Sequence, residues 1–276
     1  MERLQLKRML EAFFTEDIGN GDLTSSLIFG DQVCEAVIHS KGSGIFAGSD
    51  MIREGFALLD ADIEVEMCRR DGDPLGPGTV IAELKGRAAS LLTGERVVLN
   101  LIQRMSGIAT LTRECVTRLN DSSIRLCDTR KTTPGLRTLE KYAVRIGGGY
   151  NHRFGLYDGI MIKDNHIAAC GSIKEAVAKV RSAAGHMVKI EVEIEDEEQL
   201  QEAIEAGADV IMFDNCPPDT VRKFAALTPP HIVTEASGGI TPDSLPLFRG
   251  TGVNCISLGF LTHSVQSLDI SMDVKI

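Results

Sequence analysis

From residue 124 onward the chain repeats one phase: a short apolar run, a turn, then an amphipathic helical stretch. The runs are IRLC (124–127), GIMI (159–162), VKIEVEI (188–194), DVIMF (209–213), IVTEA (232–236) and VNCISL (253–258). Between the last five lie SIKEAVAKVRSAAG, DEEQLQEAIEAGA, PPDTVRKFAAL and the shorter TPDSLPLFRGTG. Strands separated by helices with short loops require parallel pairing. Asp196 with Gln199 predicts a capping box, and Gly207 a helix stop. Six strands are fewer than the usual eight, so the expected fold is α/β: an incomplete (β/α) barrel preceded by a small α/β open-sheet domain. A doubly wound open sheet is the structural competitor.

Polar residues recur at one point of that repeat. Lys163, Glu193, Asp214, Glu235 and Gly259 fall at or near the C-terminal ends of successive strands, 30, 21, 21 and 24 residues apart. In a barrel those ends open onto one mouth. Ser237, Gly238, Gly239 and Gly259 bring backbone N–H groups within reach of a phosphate there. Glu193 has a bland reading too, because VKIEVEI alternates as a half-exposed edge strand does. Its neighbour Asp214, one unit on, favours a divalent cation held by two carboxylates, for which Mg²⁺ is the common choice.

A cationic block, 128–166, sits inside this pattern. It holds Arg130, Lys131, Arg137, Lys141, Arg145, Arg153 and Lys163 against Asp128, Glu140, Asp158 and Asp164, with His152 and His166, in a chain of net charge −10. An acidic protein that binds anions needs such a focused patch. Arg130, Lys131, His152, Arg153 and Lys163 lie near strand or turn positions, where Arg forks and Lys point charges converge on a multiply anionic ligand. Arg137, Lys141 and Arg145 have near-helical spacing, which a solvated helix face explains equally well. Glu95 and Arg96 read as ordinary helix surface, and His263 is as consistent with a structural histidine as with a ligand contact.

The first part of the chain reads differently. Residues 3–14 are amphipathic and broken by charges, unlike a signal peptide. TEDIGNGDLTSSLI reads as a turn-rich link. Alternating segments at 34–40, 63–68 and 79–84, a helix at 49–59 and a turn cluster at 71–80 describe a small open-sheet domain, and 87–120 is helical. The expected division is 1–107 and 108–276, with a return of the last residues to the first domain allowed. Seven scattered cysteines (34, 68, 115, 127, 170, 216, 255) form no CxxC pair, which fits free thiols in a reducing cytoplasm. No run reaches the roughly 20 apolar residues of a membrane helix, and the acidic total disfavours nucleic acid. DGDPLGPGTVIAEL resembles a lipoyl-carrier hairpin but has no suitable lysine at a tight turn.

The chain also carries collinear motifs: EDIGNGDLT, ERVVLNLIQRMSGIAT, DTRKTTPGLR, EKYAV, GGGYNHRFGL, IKDNH, EVEIE, MFDN, EASGGI and SLGFLTHS. Together they resemble the quinolinate phosphoribosyltransferase (decarboxylating nicotinate-nucleotide pyrophosphorylase) family over nearly the full length. The resemblance implies Mg²⁺-dependent joining of quinolinate to phosphoribosyl pyrophosphate, releasing pyrophosphate and CO₂ and giving nicotinate mononucleotide for NAD synthesis. It implies that Arg130, Lys131, His152, Arg153 and Lys163 line the substrate pocket and that Glu193 and Asp214 serve the metal and ribose. Lys131, Lys163, Glu193 and Asp214 are then the catalytic set, and Ser237, Gly238, Gly239 and Gly259 the phosphate loops. Arg96 matches an arginine supplied by a neighbouring subunit, implying a homodimer with shared sites, with a hexamer as an allowed further assembly. The competing expectations are a related phosphoribosyltransferase-like protein with another acceptor and a non-catalytic anion-sensing protein.

Overall fold

The computed structural model describes residues 2–275. They form two compact units, one containing the residues up to Leu111, Thr138–Gly147 and those from Ser264 on, the other Thr112–Arg137 and Gly148–His263.

The first unit opens with α1 (Arg3–Ile18), which buries Leu6, Leu10 and Phe14. The stretch read as a turn-rich link contains a second helix, α2 (Leu23–Ile28). Asp22 caps it by accepting from the backbone N–H groups of Thr24 and Ser25. With only six residues and one buried, Ser25, α2 leaves no apolar period to read. There follow β1 (Val33–Ser40), β2 (Gly44–Ile45), α3 (Ser49–Leu59), β3 (Glu64–Met67), β4 (Pro74–Leu75), β5 (Val80–Arg87) and α4 (Ala88–Leu119), whose last turns enter the second unit. Gly48 cannot cap α3 with a side chain, so Asp71 does, accepting from the N–H groups of Gly48 and Ser49 at 3.0 and 2.8 Å.

The chain's last strand lies on the other edge of β1, so the antiparallel sheet holds four strands, with β5 and β3 on the far side of β1. Phe46, Phe56, Ile38, Ile81, Leu91 and Ile102 are fully buried in this unit. Removing one such large side chain costs about 3–5 kcal/mol.

The second unit carries β6 (Arg125–Cys127); α5 (Arg137–Gly147) follows in sequence but belongs, after Arg137, to the first unit. The second unit then continues with β7 (Ile160–Ile162), α6 (Asp164–Cys170), α7 (Ile173–Ala183), β8 (Ile190–Ile194), α8 (Glu197–Glu205), β9 (Val210–Asp214), α9 (Pro218–Leu227), β10 (Val233–Ser237), β11 (Cys255–Ser257) and α10 (Phe260–His263). The segment before β11 keeps only a 3₁₀ turn, Leu245–Phe248. The last strand of the chain, β12 (Ile270–Lys275), is the one that pairs with β1.

Among the described residues the six-stranded sheet is paired in parallel throughout, in the order β6-β11-β10-β9-β8-β7. Read as a ring, this is simple sequence order with one gap, between β6 and β7. A doubly wound sheet reverses its order at an internal switch point, and there is none here. Tyr150 extends the β6 side by a parallel bridge to Cys127. The fold is therefore the incomplete barrel. Phe213 and Phe224 meet edge to face between β9 and α9, with centroids 5.5 Å apart and planes at 74°. Asp196 caps α8 by accepting from Gln199 N–H, but the Gln199 side chain accepts from Glu195 N–H, one residue earlier than in a capping box.

One bland reading of charged residues fails, and another holds for Arg145 but not for Lys141. Strand β8 has a hydrogen-bonded neighbour on each side, so it is not an edge strand. Its alternation separates Ile190, Val192 and Ile194, fully buried on one face, from Glu191 and Glu193 on the other. On α5, Arg145 is exposed, but Lys141 is fully buried and Glu140 nearly so. Arg104 pairs with Glu140 at 2.6 Å. One face of that helix is sunk into the first unit, and Lys141 and Glu140 belong to the packing.

One ion pair gives the first unit a pH signature. Arg87 Nε donates to buried Asp60 at 2.7 Å, with Asp62 N–H and Ser90 Oγ as further donors. The Arg87 bond, then the Asp62 N–H, hold the Asp60 carboxyl down at about 2. Because this folded value lies below the unfolded one, the stabilisation is complete above the unfolded value, ~4, and is lost as pH falls through about 2. Arg87 is half exposed, so solvent screening leaves a contribution of about 1 kcal/mol. Asp60→Asn is expected to lower unfolding free energy by that amount at pH 7, with the gap to wild type closing between pH 4 and pH 2 in urea titrations. A gap constant across that range would contradict the assignment.

Candidate active site

Each parallel strand delivers its C-terminal end to the same rim, and the residues just past those ends enclose a cavity of about 640 Å³. Thr129, Arg130 and Lys131 follow β6. His152 and Arg153 follow the Tyr150 bridge. Lys163 follows β7, Glu193 stands on β8, Asp214 ends β9, Ser237 ends β10 and is followed by Gly238 and Gly239, and Ser257 ends β11. Met161, Met212, Asn215 and Glu235 complete the wall.

Of the residues expected at the site, ten line this cavity: Arg130, Lys131, His152, Arg153, Lys163, Glu193, Asp214, Ser237, Gly238 and Gly239. Gly259 is not among the lining residues. A Cβ there would come within 3.0 Å of Lys131 Cδ and 3.3 Å of His263, so it leaves room for the lysine's stem. Thr262 Oγ1 donates to the Lys131 carbonyl at 2.8 Å, and Lys131 N–H donates to Thr129 Oγ1 at 3.0 Å. Arg96 lies in the first unit, exposed on α4 and 3.6 Å from Glu95, and does not line the cavity.

Four cations share the wall, and two are visibly held in place. Lys163 Nζ donates to Glu193 Oε2. Arg153 donates through Nη1 to the Gly159 carbonyl at 2.7 Å. Burial, then repulsion from Arg130, lower the Arg153 pKa, as crowding of cations in a partly buried wall does. Arg137, outside the cavity, braces its edge by donating to Thr132 Oγ1 and the Phe154 carbonyl, both at 2.9 Å.

The carboxylates are separately anchored. Asn215 Nδ2 donates to Asp214 Oδ2 at 2.6 Å, and Asn215 N–H donates to the Ser237 carbonyl at 2.9 Å. Asn215 adopts φ 52°, a left-handed conformation that Asn tolerates better than most residues. Beneath the loop, Asp128 is wholly buried and accepts from Asn151 Nδ2 at 2.5 Å and His152 N–H at 2.9 Å. Sequence reasoning missed Asn215, Met161, Met212, Thr129 and Ser257 as wall residues. Ser257 alone had a signal, since it stands at the same strand-end phase as Asp214 and Ser237.

Glu193 and Asp214 each present oxygen ligands to the cavity, and hard oxygen donors suit a divalent cation of the Mg²⁺ kind. Each has one oxygen engaged by a neighbour, Lys163 or Asn215, which orients the carboxylate. The residues present therefore fit a divalent ion held jointly with a phosphorylated ligand.

An incomplete barrel with a cationic rim, two strand-end carboxylates and a glycine loop defines an enzyme site for anionic, phosphorylated substrates. The family profile for the N-terminal domain of quinolinate phosphoribosyl transferase matches residues 22–106, and that for its C-terminal domain matches residues 108–273. The chain belongs to that family. It is 73% identical over 276 residues to a Bacillus subtilis protein named probable nicotinate-nucleotide pyrophosphorylase [carboxylating], covering 100% of this chain and 96% of the relative. The Rattus norvegicus nicotinate-nucleotide pyrophosphorylase [carboxylating] is 40% identical over 253 residues, 90% of this chain and 84% of the relative. The crystal structure of NadC from Streptococcus pyogenes superposes with a TM-score of 0.96 at 41% identity, covering 100% of this chain and 98% of that one.

Gly238 offers a direct test of the rim's tightness. Its φ is 85°, and a Cβ would lie 2.3 Å from Asn215 Oδ1 and 2.8 Å from Asn215 N. Gly238→Ala is expected to cost about 2 kcal/mol through backbone strain, read as a fall of ~4 °C in the thermal midpoint. An unchanged midpoint would show that the loop yields freely.

Proposed function

We propose that this chain transfers the phosphoribosyl group of phosphoribosyl pyrophosphate to the ring nitrogen of quinolinate and that CO₂ is lost, giving nicotinate mononucleotide and pyrophosphate for NAD synthesis. The observation that carries this reading is the gathering of Arg130, Lys131, Arg153 and Lys163 with Glu193 and Asp214 around one cavity. Quinolinate brings two carboxylates and its co-substrate several more negative oxygens, and only a dense cationic wall seats both. The guanidinium forks of Arg130 and Arg153 suit the pyridine carboxylates, while Lys131 and Lys163 suit phosphate oxygens. Ser237, Gly238 and Gly239 offer backbone N–H groups to the 5′-phosphate, at a loop where barrels commonly bind phosphate.

Displacement at the anomeric carbon builds positive charge on the ribose ring. Glu193 and Asp214 face that charge with fixed negative oxygens. Mg²⁺, when bound with the diphosphate, supplies charge neutralisation on the leaving group. Bond formation makes the pyridine nitrogen cationic, so that the electron pair left on C2 by departing CO₂ is stabilised until that carbon takes a proton. Much of the acceleration comes from aligning two anions that repel each other in water.

Arg96 is assigned to the active site of a neighbouring copy, in a homodimer with shared sites, and a hexamer is an allowed further assembly. No helix among the described residues is long and apolar enough to cross a membrane, and a cytoplasmic enzyme with no nucleic-acid partner fits the acidic composition.

Formation of nicotinate mononucleotide from quinolinate in a coupled assay tests the reaction. Arg130→Ala is expected to lower kcat/KM for quinolinate by roughly 10²-fold or more, as loss of a charge-assisted fork to a substrate carboxylate does, with the thermal midpoint unchanged. Activity within threefold of wild type would reject the role of Arg130, and wild-type protein that forms no product would reject the reaction.

A further inference from the structure

The cavity floor holds an arrangement that the reaction as described does not use. His152 Nε2 lies 3.3 Å from Glu191 Oε2 and 3.4 Å from Glu235 Oε1, and both carboxylates are buried. Glu235 also accepts from Ser257 Oγ at 2.5 Å. Glu191 has no such second donor: its Oε1 is buried with no hydrogen-bond partner. On the other side of the ring, His152 Nδ1 accepts the Arg153 main-chain N–H at 2.8 Å. The imidazole is thus a rigid link from two strand carboxylates to the backbone of a cavity arginine.

Two acids beneath a site built for anions oppose its purpose unless they do something else. A buried carboxylate with an orphaned oxygen costs stability, and leucine would fill the same place without that cost. What Glu191 supplies is direction. Strand β8 fixes its backbone between β7 and β9, so its carboxylate is a stationary acceptor. The segment carrying His152 and Arg153 is irregular and is tied down by side chains instead, Asp128 below and Asp158 at its far end, where Asp158 accepts from Phe154 and Gly155 N–H.

We propose that Glu191, with Glu235, is a positioning residue for acceptor binding: by fixing the His152 ring it fixes the main chain of Arg153 and aims both side chains at the acceptor's carboxylates. This rests on the quinolinate reading of the cavity. Glu191 itself need not touch substrate, since it is not among the residues that line the cavity.

The charge state is consistent with such a role. Burial works against the charged imidazole, yet the hydrogen bonds and charges of Glu191 and Glu235 overcome it and push His152 up to about 10. Glu191 is also pushed upward, by burial first and by repulsion from Glu235. Since Nδ1 accepts from Arg153 N–H, the ring's proton in this geometry sits on Nε2, facing the two carboxylates. The groups facing His152 are Glu191 on β8, Glu235 on β10, Cys255 on β11 and Arg153 beside it, with Asp128 holding its backbone. The donor atoms of His152, Glu191 and Glu235 lie within 4.8 Å of one another, a spacing that also suits a metal ion.

The test uses the full-length protein with three substitutions at one position, each checked for a native thermal transition. Glu191→Leu is expected to raise KM for quinolinate by about tenfold or more, the usual cost of a lost buried hydrogen bond to a charged group, while KM for phosphoribosyl pyrophosphate changes less than twofold. Glu191→Gln keeps an acceptor for Nε2–H and is expected to restore KM to within about threefold of wild type. Glu191→Asp draws the oxygen back by one methylene and is expected to fall between them, which decides the question if the leucine variant does not fold. A wild-type KM for quinolinate in the leucine and aspartate variants would overturn the proposal, as would equal rises in both KM values that Glu191→Gln does not restore. So would stoichiometric Zn²⁺ binding to wild type that Glu191→Gln abolishes, which would make the trio a metal centre. Wild type inactive on quinolinate sinks the reaction itself, a result separate from an active wild type indifferent to Glu191.

Discussion

The site depends on one constraint, that six parallel strands all end on the same side. A parallel ladder makes the C-terminal ends neighbours however far apart the residues are in sequence. Lys163 and Glu193 are 30 residues apart, yet they form an ion pair because β7 and β8 are adjacent. Antiparallel strands would send alternate ends to opposite rims and divide the set.

Electrostatic balance is the second condition. Arg130, Lys131, Arg153 and Lys163 repel one another in the absence of an anion, and repulsion from Arg130 contributes to the lowered pKa of Arg153. The carboxylates offset part of that cost. Glu193 engages Lys163, and the buried acids Glu191 and Glu235 flank His152. An anionic substrate therefore meets a site already assembled, with part of the cost of collecting its charges met during folding. The left-handed turns at Asn215 and Gly238 serve the same end, because Asn215 ties Asp214 to the Ser237 carbonyl and leaves no room for a side chain at Gly238.

How much of this was legible in the sequence follows from what periodicity encodes. The strand–helix phase placed Lys163, Glu193, Asp214 and Ser237 at strand ends, and the barrel rule turned those positions into one rim. Alternation in VKIEVEI separated two faces of β8 but carried no information on what covers each face. An edge strand and a strand with a polar interior face look alike until its neighbours are known. Lys141 misled for a related reason: helical spacing locates a side chain on a face, and only tertiary packing shows that face to be buried. Helix α2 is too short for a period, and β12 finds its partner in a strand more than 230 residues earlier. The His152–Glu191–Glu235 trio joins three separate segments, so no local pattern announces it.

A crystal structure with quinolinate, a non-reactive phosphoribosyl pyrophosphate analogue and Mg²⁺ bound tests the convergence of charges most directly. The account predicts both pyridine carboxylates against Arg130, Arg153 and His152, the 5′-phosphate at Ser237–Gly239, and the ion near Glu193 and Asp214. Ligands seated away from this rim, or a pyridine ring with its carboxylates turned from both arginines, would contradict it.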